Sequence, residues 1–102
     1  VNFDFHREQL AKGTSVSFRP KGNSMQPKIK SGQLVTISPE ISNIAEGDIV
    51  FCKVHGHFYV HLVSAIKKEQ DKTLYQISNN KGRINGWIGT NSLYGKVVKI
   101  DD

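Results

Sequence analysis

Cysteine is nearly absent. Cys52 is the only one in 102 residues, so no internal disulfide can staple the chain. A lone thiol fits a reducing compartment, and the expected location is cytoplasmic unless the chain is an excised domain of an anchored protein. Cys52 sits in the apolar run Ile49-Val50-Phe51-Cys52-Lys53-Val54, where it reads as a small buried hydrophobe. Long hydrophobic runs are lacking too. No stretch approaches the roughly 20 apolar residues of a membrane-spanning helix, and no charged-then-apolar leader is read at the front. The chain starts at Val1 rather than Met, which leaves an excised domain or a processed product as alternatives. Dense blocks of one charge are also missing. The net charge is +5, but Lys28 and Lys30, Lys67 and Lys68, Lys81 and Arg83, Lys96 and Lys99 come as scattered pairs. No aromatics interleave with them as a stacking platform requires. They read as a solvated basic surface, and nucleic acid is not the expected partner.

What remains is enough for one folded unit with one core. Helical signal is confined to the opening, where Asp4 is the expected cap of a short helix through Leu10 and Ala11, stopped at Gly13. The expected division is an N-terminal helical arm over 1–13 and a β domain over 14–102. Thr14 to Arg19 alternates, with Val16 and Phe18 on one face, until Pro20 halts it. Leu34 to Ser38 alternates up to Pro39. Ile49 to Val54 and Phe58 to Ile66 are rich in β-branched and aromatic residues, with a hairpin turn expected at His55-Gly56-His57. Thr73 to Ser78 and Leu93 to Ile100 complete six strands, and the last is a candidate edge for pairing with a second copy. The expected fold class is a mainly β, compact antiparallel domain.

Between the first two strands lies Gly22-Asn23-Ser24-Met25-Gln26-Pro27, followed by Ile29 and Gly32. Gly47-Asp48-Ile49-Val50, Val60-His61-Leu62-Val63, Ser78-Asn79-Asn80 and Gly95-Lys96-Val97-Val98 come after it in order. This series resembles the signal peptidase and LexA-like serine peptidases, whose nucleophile box is Ser-Met-x-Pro and whose later boxes are Gly-Asp-Ile-Val, a base-carrying strand, Gly-Asp-Asn and Gly-Lys-Val. The resemblance covers Phe18 to Ile100. It implies that Ser24 is a nucleophile and His61, where most bacterial members have Lys, its general base.

A serine hydroxyl needs a base to accept its proton, and a histidine with a pKa near 6.5 is largely neutral at working pH. The resemblance further implies an oxyanion hole from the backbone N–H groups of Ser24 and Asn23. Many relatives use a hydroxyl two residues before the nucleophile, where this chain has Gly22. Asn79 and Asn80 stand where the family often has an aspartate, and they are the candidates for orienting His61. Substrate would bind as an added strand along Phe18 to Lys21 and Gly22, and along the strand through Tyr59 into His61. Met25 would wall a small apolar pocket, or equally fill the core.

The expected function is therefore a serine endopeptidase with a Ser24/His61 dyad, cleaving an extended peptide such as a leader, a linker or a self-segment. A catalytically silent LexA-like module for peptide binding or dimerisation is the alternative, and the missing aspartate favours it. His55, His57 and His61 also suggest zinc, but Gly56 breaks the alternation and no Cys or acidic ligand is close in sequence. Neither a metal nor a cofactor is expected. The expected partner is an extended protein or peptide substrate, with a homodimer left open.

Overall fold

Alternation along the chain comes out as a single sheet. The computed structural model describes all 102 residues. It contains a helix α1 (Phe3–Ala11) and seven strands: β1 (Val16–Phe18), β2 (Leu34–Ser38), β3 (Ile49–Val54), β4 (His57–Glu69), β5 (Lys72–Ser78), β6 (Ile84–Ile88) and β7 (Leu93–Asp101). Their order in the sheet is β1-β2-β7-β3-β4-β5-β6, and every pairing is antiparallel. The mainly β expectation holds.

Three sequence expectations change. A seventh strand, β6, occupies a stretch whose Asn85-Gly86 pair carries a turn signal. β7 lies inside the sheet, hydrogen-bonded to β2 on one side and β3 on the other, so it is not an edge. The helix cap is Asn2, whose Oδ1 accepts from the Phe5 N–H at 3.0 Å. Asp4 falls within the first turn and pairs with Arg7 at 3.1 Å. The helix does end at Gly13, whose N–H donates to the Leu10 carbonyl while that of Thr14 donates to Gln9.

β3 explains where the core sits. Val50, Phe51 and Cys52 are all completely buried, because successive side chains point to opposite faces and both faces are covered. Phe51 joins Leu10, Phe18, Val35 and Ile37 on one side. Val50, Cys52 and Val54 join Val63, Tyr75 and Ile77 on the other. Burial pushes the Cys52 thiol up to about 12, which keeps it protonated and inert. Helix α1 closes the first side. Leu10 is buried there, and the Phe3 ring lies 5.5–5.7 Å from those of Phe18, Phe51 and Phe58.

Gly95 of β7 lies tightly against β2. A Cβ on Gly95 would lie 2.5 Å from Ile37 Cγ2 and 2.6 Å from the Ser38 carbonyl oxygen. Gly95→Ala is expected to cost about 1–3 kcal/mol through overpacking. Gly89→Ala, with nothing within 4 Å and an ordinary φ of −91°, is expected to stay within about 0.5 kcal/mol of the parent. Denaturant midpoints of the two variants check the contrast.

Candidate active site

The loop between β1 and β2 is held at both ends and along its floor. At its base the Gly32 N–H donates to the Pro20 carbonyl at 3.1 Å, and Arg19 Nη1 donates to the Gly32 carbonyl at 2.8 Å. Higher up, the Gly22 N–H donates to Ser31 Oγ at 3.0 Å. Gly22 has φ +113°, a conformation that side chains resist, so glycine is what lets the chain turn here. Met25 and Ile29 drop into the core at 4% exposure each. With its neighbour buried, Ser24 is left exposed at the crest.

His61 comes from the middle of β4, opposite Val50 of β3, and is only 6% exposed. The Ser24 Oγ and His61 Nε2 are 3.1 Å apart. On the far side of the ring, Nδ1 lies 2.7 Å from Asn85 Oδ1. An amide oxygen only accepts, so Nδ1 carries the proton and Nε2 turns its lone pair toward the serine hydroxyl. The Tyr59 ring, 4.6 Å away, covers one flank. Burial holds the His61 pKa below the ordinary 6.5, and the Asn85 hydrogen bond opposes that fall. The ring is therefore neutral at pH 7, the form that can accept a proton.

Asn85 is the residue that sequence reasoning missed. Gly86 pairs with Ile77 and Ile84 with Ser78, which leaves Asn85 as an extra residue in a β-bulge. Bulges turn a side chain out of the regular alternation, and here the side chain is delivered to His61. The only signal in the sequence was an Asn-Gly pair inside an otherwise apolar stretch.

Asn79 and Asn80 have other partners. Asn79 Oδ1 accepts from the N–H groups of Lys81 and Arg83 at 2.8 and 2.9 Å, shaping the β5–β6 turn. The Asn80 N–H donates to the Ser24 carbonyl and its Nδ2 to the Gln26 carbonyl, both at 2.9 Å. Neither hydrogen-bonds to His61. Asn80 braces the Ser24 loop, and Asn85 replaces both as the candidate for orienting the histidine.

Beside Ser24 and His61 is an open cavity of about 360 Å³. Lys21, Gly22, Met25 and Tyr59 line it, together with Phe3, Ile29, Phe58 and Val60. Met25 both fills the core and walls the cavity. Phe18 fills the core and does not line the cavity. It is 5% exposed and packed between Phe3 and Phe51, because alternation from Val16 sends it inward. The N–H groups of Asn23 and Ser24 donate to no acceptor within the chain.

Neither His55 nor His57 lines the cavity. His55 is in the turn with φ +49°, and His57 is exposed at the start of β4. No group of three His, Cys, Asp or Glu side chains is arranged around a common point. No helix is long and apolar enough to cross a membrane.

A buried sheet with a serine–histidine contact beside an apolar cavity is the layout of a serine peptidase-like domain. The model of the Peptidase S24-like family matches residues 2–91, and the chain belongs to that family. No curated protein matches the chain.

The Asn85 contact predicts how His61 titrates. Asn85→Ala removes the one interaction that favours the imidazolium, so the His61 pKa is expected to fall further. Asn85→Asp places a negative charge against Nδ1–H and is expected to raise it. Histidine ring signals followed by NMR across pH report both shifts, and equal pKa values in parent and variants would break the assignment.

Proposed function

We propose that the chain is a serine endopeptidase in which Ser24 attacks the scissile carbonyl of an extended peptide and His61 serves as general base. One observation carries the reading: Ser24 Oγ is 3.1 Å from a histidine nitrogen whose opposite nitrogen is fixed at 2.7 Å by Asn85. As Oγ bonds to the carbonyl carbon, its proton passes to Nε2. The carbonyl oxygen takes the negative charge facing the free N–H groups of Asn23 and Ser24. The imidazolium then gives its proton to the leaving amine, which departs and leaves an acyl group on Ser24. Water, activated by the same histidine, releases it.

Substrate would lie against the Pro20–Gly22 segment and the β4 stretch through Tyr59 and Val60, with one apolar side chain in the cavity. β1 is paired only with β2, so its outer edge is open to a further strand. Such a peptide could be a leader, a linker or a segment of the chain itself. Asn85 keeps the tautomer but stabilises the imidazolium less than a carboxylate would, so turnover is expected to be slow. That neutral residue is also the observation favouring the second reading, a catalytically silent module for peptide binding or dimerisation.

A serine-directed acylating probe separates the two. The parent protein is expected to be labelled at Ser24, Ser24→Ala not at all, and His61→Ala about 10²–10⁴-fold more slowly. The neutral imidazole is the active form and its pKa is lowered. The labelling rate should therefore rise with pH to a plateau whose midpoint lies below 6.5. Labelling that survives in Ser24→Ala, or that ignores His61→Ala, rejects the dyad.

A further inference from the structure

The fold gathers cations that the sequence spreads over two segments. Lys21 lines the cavity, and Lys28 and Lys30 lie exposed on the later half of the same loop. Asn80 ties that loop to the β5–β6 turn through the Ser24 and Gln26 carbonyls. Directly after it come Lys81 and Arg83, both exposed, their backbone held by Asn79. None of these five is in an ion pair. The chain's ion pairs are Arg7–Asp4, Lys67–Glu69, Lys96–Asp48 and Lys99–Asp101. No Asp or Glu occurs between Glu8 and Glu40, or between Asp71 and Asp101. The one carboxylate joined to the loop, Asp102, is at its base, where Oδ1 accepts from Gln33 and the backbone carbonyl accepts from Arg19.

An ordinary surface intersperses both signs. Along these two joined segments, from Lys21 to Lys30 and from Asn79 to Arg83, only one sign is present, and Lys21 lines the concave cavity beside Ser24 and His61, where a field is focused rather than dissipated. Met25, Ile29, Phe58 and Val60 in the cavity lining suit an apolar side chain, which an extended peptide offers and a nucleic-acid backbone does not. We propose that the peptide accepted by this site carries acidic residues on both sides of the apolar residue seated in the cavity. The inference rests on the peptidase reading above and names its substrate class.

Three peptides sharing one apolar centre test it: two Asp or Glu on each side, the same positions as Ser, or as Lys. Binding is measured on Ser24→Ala, whose folding is checked by its thermal transition, so that turnover is not required. The acidic peptide is expected to bind about tenfold or more tighter than the Ser peptide at low salt, since each exposed pairing is worth up to about fivefold. The margin should shrink as the ionic strength approaches about 0.15 M. In Lys28→Glu/Lys81→Glu/Arg83→Glu, assembled on Ser24→Ala and checked in the same way, the order should invert in favour of the Lys peptide. Equal binding of acidic and Ser peptides, no binding of any peptide, or a duplex oligonucleotide that the acidic peptide cannot displace overturns the inference. If Ser24 is nonetheless labelled by the acylating probe in the parent protein, the peptidase reading survives that failure. If Ser24 is not labelled, the two fall together.

Discussion

A buried imidazole brings two nitrogens out of water, and each must find a partner or cost free energy. His61 meets that demand with Ser24 on one side and Asn85 on the other. Both partners have to be carried to it by separate parts of the chain, so much of the local architecture follows from this one ring. The Ser24 loop is sunk into the core by Met25 and Ile29 and clipped at its base by Arg19 and Gly32. β6 is bulged so that Asn85 leaves the sheet's alternation. Asn80 joins the two deliveries, since it hydrogen-bonds to the Ser24 loop from the turn that leads into β6. A side chain at 6% exposure could not take up this geometry by local adjustment alone.

The parts of this arrangement that were legible in sequence are those with local causes. Val16, Val35 and Ile37 alternate and are buried as alternation requires. Ser24 and His61 stood out by the boxes around them. The order of strands was not legible, because antiparallel pairing of β7 with both β2 and β3 joins residues more than forty positions apart, as Val50 with Lys96, and no local pattern encodes it. Asn85 was hidden for a different reason. Asn-Gly is a turn signal when the chain is free to turn, but β6 is pinned along Tyr75 to Ser78, and tertiary pairing converts the same signal into a bulge. Phe18 is near Lys21 in the chain, yet its parity within β1 sends its side chain to the core.

Charge followed the same division. The sequence shows scattered basic pairs, and scattering argued for a solvated surface. Hydrogen bonds from Asn80 tie together the two segments that carry two of those pairs, while the acids stay in α1, in the β2–β3 connection, at the β4–β5 turn and at the C-terminus. Linear density is therefore a poor guide to surface field when loops from distant segments are tied together.

Helix α1 links the site to the core more closely than its place at the start of the chain suggests. Phe3 is at once a member of the aromatic cluster with Phe18, Phe51 and Phe58 and a wall of the cavity beside Ser24. One turn on, His6 stacks on Phe18 at 4.7 Å with a buried Nδ1 that has no hydrogen-bond partner. Desolvation keeps its pKa below the ordinary 6.5. In the window between that lowered value and 6.5 the unfolded chain binds more protons than the folded one, so stability rises with pH there and declines on acidification. His61 acts in the same direction. Burial thus favours the neutral form of both rings, and the one on α1 packs against Phe18 beside Phe3, which α1 supplies to the cavity.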